Sequence, residues 1–112
     1  MATKTELVNR TLRLIGVTRF GQATEGTVLE EVLGMLDDYL LSLNEENPLD
    51  FDPTEDDVPD ERMFHLVMLL AQLAGPGFGK PFNDAVVDKY ERKLFAAILG
   101  PSDHVESGPQ DF

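Results

Sequence analysis

The stretch NEENPLDFDPTEDDVPDE (residues 44–61) holds nine acidic residues, three prolines and no base. Carboxylates at this density are the raw material of a cation site. Laid on the calcium-loop template, Asp50, Asp52, Thr54 and Glu61 fall at positions 1, 3, 5 and 12. The rest of the template fails: its sixth position needs Gly and is Glu55, and Pro53 and Pro59 stiffen the loop where it must wrap. The expected reading is a solvated acidic loop available to a basic surface, with no metal. The turn Gly75-Pro76-Gly77-Phe78-Gly79-Lys80 resembles a phosphate-binding loop, but Ala74 stands where that pattern needs Gly and Pro81 where it needs Ser or Thr. It also follows a helix pattern instead of a strand, so it reads as a helix-to-helix turn.

Neither histidine sits in a catalytic pattern. His65 lies four residues after Glu61, within reach of a local pair, and reads as a structural histidine; His104 is far away in sequence. General acid/base work needs carboxylates whose burial drives their pKa values apart, which a solvated run does not provide. No catalytic residue, metal or cofactor is expected, and a small metal-dependent enzyme is the last of the function classes. Arg10, Arg13 and Arg19 form a short basic face without interleaved aromatics, a weak signal for nucleic acid. Pairing with acidic groups, in the same subunit or in another copy, is their expected use.

The chain has 112 residues, enough for one modest core, and no cysteine for a disulfide or thiolate site. Its opening, MATKTELVNR, lacks the apolar stretch of a signal peptide, so synthesis as a soluble intracellular chain is expected. The net charge of −12 is uneven. Residues 1–19 carry Lys4, Arg10, Arg13 and Arg19 against Glu6, a net +3, which leaves −15 for the remainder. Such a chain repels nucleic-acid phosphates and anionic membranes except through its first helix, and its asymmetry suits head-to-tail association of copies.

The elements that must position these residues are helical. MFHLVMLLAQLA (63–74) is interrupted only by His65 and Gln72 and is too short to span a bilayer, which takes about 20 residues, so a central buried helix over 59–74 is expected. Pro59, Asp57, Asp60 and Glu61 suit its start, and Gly75-Pro76-Gly77 ends it. A first helix over 4–15 has Thr3 and Glu6 at capping-box spacing and Gly16 as its left-handed stop. In the loop that follows, Phe20 is expected to cap the core. A second helix, about 26–43, has Thr24 or Thr27 as candidate N-cap, and Gly34 inside it suggests a close helix crossing. Leu49 and Phe51 are expected as the only anchors of the acidic connection. A fourth helix, about 83–99, turns Val86, Val87, Tyr90, Leu94, Ala97 and Ile98 inward and Lys89, Arg92 and Lys93 outward. The expected fold class is all-α: a four-helix, bundle-like domain over 1–100 with a long acidic loop between helices 2 and 3. Its core is drawn from Leu36, Leu40, Leu66, Leu69, Leu70, Leu73, Tyr90 and Leu94. Residues 101–112 have the polar make-up of a flexible C-terminal arm.

The order of features resembles a known family. TKTELVNRTLRLIGV opens the chain, followed by an amphipathic helix, an acidic loop with DDVPDE, an apolar helix with LVMLLAQLA, a G-P-x-x-G turn (Gly75-Pro76 to Gly79) and a last helix with Tyr90 and Leu94. Over residues 3–99 this is similar to the head-to-tail connector proteins of tailed bacteriophages (adaptor, head-completion or tail accessory proteins), with the closest likeness to the adaptors of short-tailed phages. The resemblance implies a non-enzymatic virion subunit, made in the host cytoplasm and placed at the head-to-tail interface. There it forms a ring, typically dodecameric, that docks beneath the portal protein, carries tail proteins and extends the DNA channel. Packaged DNA passes through that lumen without specific binding, and no membrane is involved. By position, Pro101, His104, Val105 and Phe112 become the candidate portal-binding arm. Arg10, Arg13, Arg19, Asp50, Asp52, Asp56 and Asp57 become candidate subunit or partner contacts. The alternative is an acidic regulatory module, for example a DNA mimic, that masks a basic partner.

Overall fold

The computed structural model describes residues 2–18 and 24–100. Along the chain these form β1 (Ala2–Thr3), α1 (Lys4–Leu14), α2 (Gly26–Glu46), β2 (Asp57–Val58), α3 (Asp60–Ala74), a 3-10 turn (Gly75–Phe78) and α4 (Asp84–Leu99). The domain is all-α apart from one two-stranded antiparallel ribbon, in which Ala2 faces Val58 and Thr3 faces Asp57.

Local chemistry explains where the helices start and stop. The Thr3 hydroxyl accepts a hydrogen bond from the Glu6 N–H at 3.1 Å, as the capping-box spacing requires. Gly16 follows α1 at φ 83°, a left-handed conformation that costs glycine little. The Asn83 side chain accepts from the Ala85 N–H and opens α4. After α3 the chain continues as a 3-10 turn through Pro76 and stops only at Gly79, φ 82°. The second helix departs from expectation at both ends. Glu25 occupies its N-cap with no side-chain bond, and Thr24 instead donates to Asn9 Oδ1 at 2.6 Å, tying the start of α2 to α1. At the other end α2 runs on to Glu46, because nothing in 44–46 breaks a helix before Pro48.

α3 is the hub, packing against α1, α2 and α4. Leu66, Leu69 and Leu70 are buried together with Leu7, Val8 and Leu12 of α1, Leu36, Leu40 and Leu43 of α2, and Leu94 of α4. α3 is nevertheless not covered on every side. Phe64 is 61 % exposed, and Leu73 and Met68 are only half-buried, because three helices cannot cover the whole circumference of a fourth. Tyr90 is likewise half-buried at the core's edge, and Ala97 points to solvent. Gly34 marks no close crossing: it is exposed, and a Cβ built there would meet nothing within 4 Å. A polar tie joins α2 to α4, where Tyr39 Oη donates to Glu91 Oε2 at 2.5 Å. Burial first, then this bond, push the Tyr39 phenol far above its ordinary pKa, so it stays a donor.

Candidate functional site

The acidic connection is held down, not loose. Lys4 places its ammonium, with only 8 % of the side chain exposed, between Asp37 Oδ1 of α2 (2.6 Å) and the Pro53 carbonyl (2.7 Å). The Lys4 N–H donates to the Asp56 carbonyl at 3.0 Å, and the β1–β2 ribbon continues the attachment to Val58, which is fully buried. Leu49 and Phe51 are half-buried as expected, but Pro53 and Val58 are the deeper anchors. This also changes the charge picture of the first nineteen residues. Lys4 is spent inside the molecule, so it adds nothing to a basic surface.

Of the acidic residues expected to meet partners, Asp50 is occupied. The Arg62 guanidinium donates to both its oxygens, the shortest contact being 2.6 Å from Nη2 to Oδ2. That bond raises the Arg62 pKa and leaves its charge fixed. Asp52 accepts from the Thr54 N–H and hydroxyl, which holds its carboxyl below the ordinary value and shapes a local turn. Two of the four calcium-template positions are therefore tied to protein donors. Asp56 and Asp57 expose their side chains while their backbones pair with the N-terminal segment. Among the described residues, no group of His, Asp and Glu is arranged to hold a metal ion. The turn at 75–80 has Gly75 buried against the Lys80 stem, a packing role between α3 and α4.

On α1, Arg10 and Arg13 are both exposed, with Arg10 3.9 Å from Glu6 in an (i, i+4) pair. Arg19 and Phe20 lie outside the described residues, as do Pro101, His104, Val105 and Phe112 of the candidate arm.

A second surface, on α3 and α4, was not singled out from the sequence. Exposed Phe64 meets the Tyr90 ring edge-on at 5.9 Å, and His65 completes the cluster at 5.9 Å from Phe64 and 6.1 Å from Tyr90. Lys89 and Lys93 reach over Tyr90, their ammonium groups 5.5 and 5.9 Å from its centroid. Neither lysine has a carboxylate within ion-pair distance among the described residues, whereas Arg92 pairs with Asp88 at 3.3 Å. The signal was present as outward Lys89 and Lys93 one turn apart, but Phe64 was hidden inside a run that reads as wholly buried.

His65 does not pair with Glu61. Its Nδ1 is buried without a hydrogen-bond partner. Burial, then the cations of Lys93 and Arg62, hold its pKa below the ordinary value. A histidine kept neutral in the fold contributes its full stability above the unfolded pKa of about 6.5, and that contribution is lost as pH falls toward the lowered folded value. Urea midpoints measured between about pH 7 and pH 5 are expected to fall more steeply for the wild type than for His65→Gln. Parallel slopes would show that His65 is not the titrating group.

Searches against family models, curated proteins and solved structures find no match to this chain.

Proposed function

We propose that this chain is a structural subunit of a tailed-bacteriophage virion, a head-to-tail adaptor whose copies form a ring beneath the portal protein. In this reading the ring extends the DNA channel, carries the tail proteins and performs no catalysis. The observation that carries the reading is the separation of unlike charge on one helical frame. The acidic loop is braced by Lys4 and β1 against α1 and α2, while Phe64, Lys89 and Lys93 stand on α3 and α4. Unlike patches on different sides of a subunit favour heterologous contacts, the kind that close into rings. The order of opening helix, acidic loop, apolar third helix, glycine–proline turn and last helix supports the resemblance to phage connectors. An acidic lumen lets DNA pass without sticking, because phosphate contacts with basic groups are what make such binding strong. Residues 101–112 serve as the portal-binding arm.

The rival, an acidic module that masks a basic partner, draws on the exposed carboxylates of Glu45, Glu46, Glu55, Asp56 and Asp57. Electron microscopy of the full chain, alone and mixed with phage portal proteins, separates the two. Annular particles are the expected result. A chain that stays monomeric with every portal, yet captures a basic DNA-binding protein tightly, would establish the rival instead.

A further inference from the structure

Two features of the surface are complementary within a single chain. One is the Phe64–Tyr90 edge with Lys89 and Lys93 above it, an apolar centre with two cations that no described carboxylate neutralises. In a chain of net charge −12 an uncompensated cationic pair is out of keeping with its surroundings. The other is the tip of the acidic loop, where Glu55, Asp56 and Asp57 are exposed on a backbone pinned by Lys4 and β1. A pinned loop loses little conformational entropy when it binds, which favours its use as a ligand.

The two features cannot satisfy each other within one subunit. Arg62 holds the loop through Asp50, and Phe64 follows two positions later on α3. Two helical steps turn a side chain by roughly 200°, so Phe64 leaves the opposite side of the helix. The loop leans on Lys4 of α1 and Asp37 of α2, whereas the aromatic patch is built with α4.

We infer that the Phe64–Tyr90–Lys89–Lys93 patch of one copy receives the Glu55–Asp57 loop tip of the next copy. The contact is heterologous, each subunit giving its loop to one neighbour and its patch to the other. It rests on the ring reading and names the surfaces by which the ring is built. The exposed Phe64 ring supplies apolar area at the centre and the charges set the register. At one such contact per neighbour, local attraction opposes the general repulsion between acidic subunits, so assembly weakens as salt screens the pairs.

The test is the oligomeric state of the full chain by sedimentation velocity, alone and with a phage portal, for the wild type and two charge-reversed variants. Lys89→Glu/Lys93→Glu spoils the patch, and Glu55→Lys/Asp56→Lys spoils the loop. All four positions are exposed, so circular dichroism is expected to report unchanged folding. Each variant is expected to lose about 100-fold or more in self-association. Mixed together, they are expected to regain assembly with the two variants alternating, because the sound loop of one fits the sound patch of the other and the two reversed surfaces again carry opposite charges. If the wild type assembles and both variants assemble equally well, the proposed contact is wrong and the ring reading stands. If the wild type assembles neither alone nor with the portal, both fall.

Discussion

Leu70→Ala is expected to destabilise the protein by about 3–4 kcal/mol, the largest effect of any single truncation considered. Leu70 is completely buried on α3, the helix that packs on the other three. Removing its branched end forfeits the transfer free energy of the lost carbons and leaves a cavity that the surrounding core cannot close without moving its own side chains. Against a total stability of about 5–15 kcal/mol for a domain this size, such a loss brings the fold near its threshold. Leu99→Ala is the matched control: Leu99 is 68 % exposed, so the same chemical change there is expected to stay within about 0.5 kcal/mol. Urea denaturation of both variants measures the contrast. Equal losses would mean that α3 is not the organising element.

The second large effect is expected from Lys4→Ala. The buried ammonium serves the Pro53 carbonyl and Asp37 together. Asp37 is half-exposed and regains water when the lysine is lost, so it contributes modestly. The Pro53 carbonyl is buried with the lysine in place, and an orphaned buried acceptor costs about 1–3 kcal/mol, to which the lost packing of the lysine stem adds. A total of roughly 2–3 kcal/mol is expected. Hydrogen exchange at residues 54–58 separates this account from a general loosening. Protection there is expected to drop first in the variant, because β2 is held by the segment that Lys4 anchors. Loss spread evenly over α3 and α4 would contradict the bracing role.

The helices were legible because their signals are local. Thr3 and Glu6 cap α1, Gly16 stops it, Asn83 opens α4, and the leucine spacing of α2 and α3 marks the buried stripes. The acidic connection was not, since composition alone reads nine carboxylates with three prolines as solvated chain. What holds it is long-range: a lysine forty-nine positions before Pro53 and a strand pairing between Ala2 and Val58. Neither leaves a periodicity to read. Gly34 misled for the reverse reason, a residue usually kept for close packing standing here on an open surface. The patch on α3 and α4 was half-legible. Lys89 and Lys93 were placed outward, but the exposure of Phe64 depends on how much of α3 the other helices leave bare. The charges of Lys4 and Asp50 looked available in the sequence and are consumed in folding, Asp50 by Arg62.

In the proposed reading, acidic helical subunits join head to tail into a closed ring on a portal. Native mass spectrometry of the full chain mixed with a phage portal protein tests it most directly, because it counts copies. One discrete complex carrying a fixed number of subunits is expected, a dodecamer by the resemblance, with no ladder of smaller forms at saturation. A spectrum holding only free portal and single chains, at every mixing ratio and at low salt, would contradict it.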